Sequence, residues 1–375
     1  MKLTLIAGAR PNFIKIAPII NAIKQAISKG YKIQYRLVHT GQHYDSKMSD
    51  TFFKELNIPE PDINLGCGGG TQAEQTAAIM VAFEKELIAN PSDLVVVVGD
   101  VTSTMACSIV AKKLNIKVAH VEAGIRSYDI KMPEEINRMV TDCLADYFFT
   151  TTKWAGDNLK KTGIEDNRIF FVGNVMIDSL LANRHRFTKP ALWDELNLEK
   201  KSYLLITLHR PANVDEGYKL KNYISEILTN VKGLPVIFPI HPRTAKIFND
   251  LGIEEPNLKI TTPLSYLEFN YLVERAKGVV TDSGGITEET TVMGVPCFTL
   301  RDNTERPETI DIGTNELIGT DPAAIKPALE KLFAGQWKKG EIPELWDGKS
   351  AERIVGHLNE IFLVLQNKLL TELRN

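Results

Sequence analysis

Short apolar segments alternate with longer amphipathic segments along most of the chain, and this alternation predicts strands that are each followed by a helix. The predicted strands are 2–7, 33–39, 94–98, 117–121, 147–150, 169–172, 203–207, 236–239, 258–261, 278–281 and 296–300. The segment 94–98 is apolar at every position, as is typical of a parallel strand covered on both faces. Repeated strand–helix–strand units predict parallel sheets with right-handed crossovers.

A charged segment at 183–201 interrupts this alternation and predicts an interdomain linker. The chain has 375 residues, more than the ~250–300 at which a single core stops growing. We therefore expect two α/β domains, at 1–182 and 202–355. The end of a long final helix, at 356–375, is able to cross back to the first domain, a point that the pattern leaves open.

Composition narrows the class of partner. Acidic and basic residues are mixed, the net charge is −3, and no basic tract occurs, so we expect no nucleic-acid partner. No apolar run reaches the ~20 residues of a membrane span, and the N-terminal segment is predicted as a strand rather than a signal peptide. The four cysteines form no Cys-x-x-Cys pair and the histidines lack metal-ligand spacing. These features favour a cytoplasmic protein without a structural metal.

Two basic residues flank the N-terminus of the first predicted helix. In open α/β sheets, ligands bind beyond the carboxyl ends of the strands. Gly8 permits a turn after the first strand, and Arg10 and Lys15 then follow. The pattern fits a diphosphate site at a helix N-terminus and fits equally well a capped helix with two solvated cations. A dinucleotide would require Gly-x-Gly-x-x-Gly at this point, so we expect no bound NAD.

Acidic residues also stand at this edge of the first domain. Asp100 follows the apolar strand, Glu122 ends the next strand, and Glu134 opens a helix. A purely structural role would also account for two of them: Asp100 as the cap of a helix, and Glu134 as a negative charge that favours the helix N-terminus. A glutamate after an apolar run such as Glu122 either pairs with a base such as Arg126 or is poised for proton transfer. Three carboxylates at one sheet edge exceed what capping requires, so we expect an acid–base site.

The second half offers histidines after two strands. His209 follows the strand 203–207, and His241 follows the strand 236–239 more weakly. A histidine at a strand end acts as a general acid or as a donor to a phosphate oxygen. A lone histidine is also a common structural residue, and the spacing leaves both explanations open.

The strongest local pattern in the second half is a strand, a Ser-Gly-Gly turn and a helix. Ser283, Gly284 and Gly285 are small enough for a phosphate to approach the backbone donors of the helix N-terminus. Glu289 lies one helical turn further and is suited to both ribose hydroxyls. Arg306 belongs to a polar loop that follows the last predicted strand and is suited to closing over a ligand.

Together these motifs resemble the non-hydrolysing UDP-N-acetylglucosamine 2-epimerases. The matches run in family order over nearly the whole chain, and the ordered set is far more specific than any one motif. The matching segments are Gly8-Ala9-Arg10-Pro11 with Lys15, His39-Thr40-Gly41-Gln42-His43, Gly99-Asp100, His120-Val121-Glu122-Ala123-Gly124, Pro133-Glu134-Glu135-Ile136-Asn137-Arg138, Val172-Gly173-Asn174, Leu208-His209-Arg210, Thr281-Asp282-Ser283-Gly284-Gly285 with Glu288-Glu289, and Asn303-Thr304-Glu305-Arg306-Pro307.

The resemblance implies a GT-B fold, with two Rossmann-like domains facing across a cleft, and catalysis with neither NAD nor metal. It implies anti elimination of UDP to 2-acetamidoglucal and re-addition with C2 inverted, and commonly a homodimer. The implied proton-transfer residues are Asp100, Glu122 and Glu134. The implied contacts to UDP are Arg10, Lys15, His209, Ser283, Gly284 and Glu289. Further implied substrate contacts are Gln42, His43, Arg138, Arg210, His241, Gly285 and Arg306.

One departure from the family concerns regulation and substrate. Many bacterial members have His-Arg-Arg-Glu-Asn where this chain has Pro211 and Ala212 after Arg210. The missing arginine belongs, in regulated members, to a second substrate site, so we expect no strong activation by the substrate. The Leu-His-Arg-Pro form also resembles epimerases of UDP-2,3-diacetamido-glucuronic acid. A GT-B glycosyltransferase would share the fold and the UDP site but need an acceptor, and a non-enzymatic nucleotide-sugar sensor would bind UDP without turnover.

Overall fold

In the computed structural model the chain divides into two compact units. The structure describes residues 1–42, 53, 55–240, 242–250, 252 and 255–372. Unit 1 comprises Met1–Ala182 and Glu344–Asn375, and unit 2 comprises Asn183–Pro343. The segment predicted as a linker thus belongs to unit 2. The chain returns to unit 1 at Glu344 rather than at residue 356, for reasons given below.

Unit 1 is built on a parallel sheet whose described strands have the order β3-β2-β1-β4-β5-β6-β7. Its strands are β1 (Lys2–Ala7), β2 (Gln34–His39), β3 (Ile63–Asn64), β4 (Leu94–Val98), β5 (Lys117–Val121), β6 (Tyr147–Thr150) and β7 (Ile169–Phe171). Ahead of its last helix, the described helices are α1 (Arg10–Ser28), α2 (Gln72–Ala89), α3 (Thr102–Lys113), α4 (Pro133–Leu144), α5 (Lys153–Lys161) and α6 (Val175–Asn183). Every residue of β4 is buried, as its uniformly apolar sequence predicts.

Unit 2 repeats this architecture with the order β10-β9-β8-β11-β12-β13. Its strands are β8 (Leu204–Thr207), β9 (Val236–Pro239), β10 (Leu258–Thr261), β11 (Gly278–Thr281), β12 (Cys297–Thr299) and β13 (Asn315–Leu317). Its helices are α7 (Ala191–Glu195), α8 (Pro211–Val214), α9 (Gly217–Asn230), α10 (Pro242–Asp250), α11 (Tyr266–Arg275), α12 (Gly284–Met293), α13 (Pro307–Asp311) and α14 (Ile325–Phe333).

Both sheets have the strand order of a Rossmann fold, in which the order reverses beside the first strand. The prediction of two Rossmann-like α/β domains is confirmed. The reversal lies between β1 and β4 in unit 1 and between β8 and β11 in unit 2. The residues that follow these strands therefore stand where such folds bind ligands. Among the described helices, none is long and apolar enough to cross a membrane.

The last helix, α15 (Ser350–Glu372), packs against α1 within unit 1. Asp178 caps it, because its two carboxylate oxygens accept the amides of Ser350 and Ala351 at 3.1 and 2.7 Å. Ahead of the helix, the buried Trp346 donates its ring N–H to the carbonyl of Thr151 at 3.2 Å. These bonds explain why residues 344–355 join unit 1, although the sequence pattern groups them with the second domain.

Candidate active site

A buried ion pair joins two of the candidate residues of unit 1. Lys15, in the second turn of α1, places its Nζ 2.6 Å from Oε2 of Glu122, which follows β5. The side chains are 12% and 2% exposed, so the pair is shielded from solvent. Sequence reasoning offered Arg126 as a partner of Glu122 and a diphosphate as the partner of Lys15. The structure pairs Arg126 with Asp142 and Lys15 with Glu122; a contact between Lys15 and a diphosphate stays a prediction.

Gly99 makes room for this pair. Its φ of +70° lies in the left-handed region, which favours glycine. A Cβ at this position would lie 3.3 Å from Nζ of Lys15 and 3.8 Å from Oε2 of Glu122. Because Asp100 is the next residue, the turn after β4 brings the Asp100 backbone beside Glu122. Glu122 thus lies beside Gly99, and Asp100 continues the chain from the same turn.

Arg138 holds the side chain of Asp100. Its Nε and Nη2 donate to Oδ2 of Asp100 at 3.0 and 2.6 Å, and its Nη1 donates to Glu135 at 2.6 Å. The Asp100 side chain is 28% exposed, so it is accessible to a ligand while its orientation is fixed. Arg138 was predicted to contact the substrate. In the structure it orients a carboxylate.

The two glutamates at the start of α4 have different surroundings. Glu134 is exposed, as a ligand-binding group or a simple dipole partner would be. Glu135 is buried and accepts bonds from the amides of Ser127 and Tyr128 at 2.9 and 3.1 Å. Glu135 thus fixes the 127–128 turn, a role that the Glu-Glu sequence does not distinguish.

The side chain of Gln42 is hydrogen-bonded to Ser103 at the start of α3. Its Oε1 accepts hydrogen bonds from the amide of Ser103 at 3.1 Å and from the hydroxyl of Ser103 at 2.8 Å, so it caps the N-terminus of α3.

His43, His241 and the side chain of Arg10 lie outside the described residues. Among the described residues, no group of three or more His, Cys, Asp and Glu side chains is arranged to hold a metal ion.

In unit 2, a buried aspartate orients His209. Nδ1 of His209 lies 2.8 Å from Oδ1 of Asp282, which is fully buried, whereas the His209 side chain is 59% exposed. Burial raises the pKa of Asp282, but His209 and the backbone amide of Arg210 lower it by more. The net pKa lies below the usual value of a carboxyl, so the carboxylate stays charged. The carboxylate accepts a hydrogen bond from the Nδ1–H group, which leaves Nε2 as the nitrogen available to a ligand. Asp282 belongs to one of the family motifs in the sequence, but the motif alone does not predict this role.

The Ser-Gly-Gly turn begins α12 as predicted. Ser283 is the N-cap, its side chain makes no capping bond, and Ser283, Gly284 and Gly285 are partly exposed. The first amides of the helix are thus a ready anion site. A Cβ on Gly284 would lie 2.7 Å from Oε1 of Glu305. Glycine is therefore needed here because of Glu305 as well as for any approaching phosphate.

Arginines of unit 2 pair with glutamates near this turn. Nε of Arg210 donates to the carbonyl of Asp282 at 2.9 Å, and its Nη2 lies 3.9 Å from Glu305. Arg306, predicted to contact the substrate, pairs with the buried Glu288. The polar loop is therefore bound to α12 by charge.

Glu289 is buried inside α12 and faces a tyrosine. Its Oε1 accepts the hydroxyl of Tyr266 at 2.8 Å. Burial raises the pKa of Glu289 to about 7; the Tyr266 bond opposes this rise and the charge of Glu288 adds to it. At neutral pH this carboxyl is poised between its two forms. Its contact with ribose stays a prediction.

The sequence matches the family model described as UDP-N-acetylglucosamine 2-epimerase over residues 25–359. It is 42% identical to the UDP-N-acetylglucosamine 2-epimerase of Methanocaldococcus jannaschii, over 95% of this chain and 98% of the relative. It is 40% identical to the UDP-2,3-diacetamido-2,3-dideoxy-D-glucuronate 2-epimerase of Pseudomonas aeruginosa, over 85% of this chain and 88% of the relative. The crystal structure of the M. jannaschii enzyme in complex with UDP-GlcNAc and UDP covers 96% of this chain and 100% of its own, with a TM-score of 0.85 at 42% identity.

The buried Lys15–Glu122 pair makes a prediction about stability. Lys15→Met or Glu122→Gln alone leaves the partner charge buried, and removing one member of such a pair typically costs about 3–5 kcal/mol. We expect the double variant to lose much less than the sum of the single variants. Hydrogen exchange of β4 and β5 amides measures the loss. Lys153→Met is the control, since Lys153 pairs with Glu344 at the surface and should cost less than about 1 kcal/mol. Additive single effects would contradict the prediction.

Proposed function

Because the chain belongs to the UDP-N-acetylglucosamine 2-epimerase family and is therefore an isomerase, we propose that it interconverts UDP-GlcNAc and UDP-ManNAc with neither NAD nor metal. A base removes the C2 proton while the C1–O bond breaks and UDP leaves anti to that proton. The intermediate is 2-acetamidoglucal. UDP then re-forms the C1–O bond, and a proton is delivered to the opposite face of C2.

The carboxylates around Gly99 are the observation that carries this proposal. Inversion at C2 requires proton transfer on both faces of the sugar, hence more than one acid–base group or one that reaches both faces. Asp100, held by Arg138 yet accessible, and Glu122, beside Lys15, supply two such groups at one strand end. Glu134, exposed on the first turn of α4, is the proposed third.

The leaving diphosphate requires positive charge, because the weakly acidic C2 proton makes C1–O cleavage run ahead of proton removal. The N-terminus of α12 at Ser283 and Gly284 supplies backbone donors. Nε2 of His209, turned outward by Asp282, supplies a further donor or acid. We assign Arg10 and Arg210 to the diphosphate as well, and we assign Lys15 to Glu122.

A second substrate has support of its own. The Pseudomonas aeruginosa relative named UDP-2,3-diacetamido-2,3-dideoxy-D-glucuronate 2-epimerase is 40% identical to this chain, and the Leu-His-Arg-Pro sequence at 208–211 also resembles that group. The chemistry at C1 and C2 is the same for both substrates. The two UDP-sugars differ in the groups at C3 and C6, and a comparison of kcat/KM for each of them identifies the preferred substrate.

Two finer parts of the proposal concern assembly and location. We propose a homodimer, supported by the exposed apolar side chains of Ile136 and Met139 on α4 and of Tyr128 and Ile130 before it, which are 46–69% exposed. We propose that the enzyme works in the cytoplasm, supported by four cysteines that are all free thiols in the structure.

Proton NMR in deuterated water tests the proposed reaction. UDP-GlcNAc incubated with the enzyme and no other substrate should epimerise and acquire deuterium at C2, because the C2 proton exchanges with solvent while it resides on the protein. Added EDTA should leave the rate unchanged. An unaltered UDP-sugar would favour a transferase or a sensor, and epimerisation without deuterium at C2 would exclude the elimination route.

Charge-removing substitutions test the carboxylates. Asp100→Asn, Glu122→Gln and Glu134→Gln should each lower kcat by ~10²–10⁴-fold, the usual contribution of a proton-transfer group, while UDP still binds. Asp157→Asn is the control, since Asp157 is exposed on α5 and should keep full activity. Near wild-type turnover in all three variants would mean that these carboxylates only cap helices and loops.

The buried Glu289 predicts a pH-dependent nucleoside affinity. With a pKa of about 7, its ionised fraction rises roughly tenfold from pH 6 to pH 8. Ribose hydroxyls donate to the ionised carboxylate, so uridine affinity should rise by about the same factor as the pH increases. Uridine is the right probe because it has no phosphate to titrate near pH 6. Calorimetry should give a flat profile for Glu289→Gln; the same slope in both proteins would place the ribose elsewhere.

A further inference from the structure

His120 lies in the middle of the first sheet, outside the roles assigned so far. It belongs to β5 and is 0% exposed. Its Nδ1 lies 2.7 Å from Oδ1 of Asp142, and its Nε2 lies 2.8 Å from the carbonyl oxygen of Gly99. Neither neighbour has a hydrogen to give, because one is a carbonyl and the other a carboxylate. A neutral imidazole has only one N–H, so it satisfies only one of these contacts.

Asp142 is ionised in this environment. Burial raises its pKa, but His120 and Arg126 together lower it below the usual value of a carboxyl. Its Oδ2 lies 2.6 Å from Nη1 of Arg126 and accepts the amide of Gly124 at 3.1 Å. An anionic acceptor thus faces Nδ1, and a carbonyl faces Nε2. A ring with a hydrogen on both nitrogens donates to both acceptors, whereas a neutral ring donates to only one of them.

The carbonyl that His120 holds belongs to the residue around which the site is built. Gly99 has a left-handed backbone, and its amide donates to the carbonyl of Val121 at 3.0 Å. Both sides of the Gly99 residue are therefore bound to β5, its N–H by Val121 and its C=O by His120. The direction of this carbonyl sets the direction in which the chain continues to Asp100.

The same helix secures both the backbone and the side chain of this turn. Asp142 and Arg138 are four residues apart on α4 and so lie on one face of it. Arg138 holds the Asp100 carboxylate directly. Asp142 holds the Gly99 carbonyl through His120. A movement of either contact displaces Asp100 relative to Glu122, which follows β5 two residues after His120.

We propose that His120 is a positioning residue for the epimerase: a doubly protonated ring that locks the Gly99 carbonyl and so keeps Asp100 and Glu122 in the relative geometry that proton transfer at C2 needs. This inference rests on the proposed function for its kinetic consequence. Its structural part, the presence of an N–H group at both ring nitrogens, does not depend on which substrate the enzyme converts.

NMR of the ¹⁵N-labelled wild-type enzyme tests the structural part directly. Both ring nitrogens of His120 should carry a proton at neutral pH and couple to it. His120→Asn supplies the resonance assignment by loss of the signal. A neutral ring with a single N–H would overturn the proposal, whether or not the enzyme epimerises UDP-GlcNAc.

Two substitutions test the kinetic part. The Gln amide in His120→Gln reaches the position of Nε2 and can still donate to Gly99, whereas the shorter Asn amide in His120→Asn reaches Asp142 only. We expect His120→Asn to lower kcat by up to ~100-fold, because a misplacement of about 1 Å costs on the order of 10²-fold in rate, with UDP affinity unchanged. We expect His120→Gln to retain more activity than His120→Asn, and the Gly99 and Asp100 amides to exchange faster in His120→Asn than in wild type.

His357→Asn is the matched control, because His357 pairs with Glu360 at the surface and should keep wild-type kcat. Full kcat in a folded His120→Asn variant would overturn the positioning role. So would equal kcat losses in the Asn and Gln variants with unchanged exchange at Gly99. A wild-type enzyme that is inactive on UDP-GlcNAc but has the doubly protonated ring would instead contradict only the proposed function.

Discussion

Lys15 and Glu122 form a buried ion pair inside unit 1, beside the left-handed turn at Gly99. The two residues come from different elements, α1 and the end of β5, and the strand between them is β4. β4 ends between the two residues at Gly99, whose left-handed backbone favours glycine and whose missing Cβ leaves Nζ of Lys15 free of a tight contact. Three further groups of unit 1 are arranged around that turn: Asp100 continues from it, Arg138 binds the Asp100 carboxylate, and His120 contacts the Gly99 carbonyl.

The two units use one topology for different chemical tasks. At the switch point of unit 1 the sheet presents carboxylates, each held by a basic partner that fixes its direction and lowers the cost of its burial. At the switch point of unit 2 it presents a helix N-terminus and the outward nitrogen of His209. In the function that we propose, the first set of groups transfers protons and the second set binds the diphosphate.

Much of this architecture could be predicted from the sequence, because parallel strands buried on both faces leave continuous apolar runs. Each predicted strand is found within one residue of its predicted ends, whereas β3 (Ile-Asn) and β13 (Asn-Glu-Leu) were missed because each contains only one apolar residue. The motif positions of the site were also readable. Side-chain partners were not: no pattern in the sequence reveals that Lys15 pairs with Glu122. Likewise, nothing in a lone histidine inside a strand reveals that both of its neighbours are acceptors.

The return of the chain to unit 1 at Glu344 makes unit 2 an insertion within it. During synthesis, residues 183–343 leave the ribosome before Trp346, the Asp178-capped start of α15 and the rest of that helix. Unit 2 therefore has all of its strands available while unit 1 still lacks the segment that covers Thr151 and Asp178. Until that segment arrives, the carbonyl and the carboxylate have no protein partner from it and remain in water, since burying them unsatisfied is costly. The half of the molecule that is started first is thus the half that is completed last.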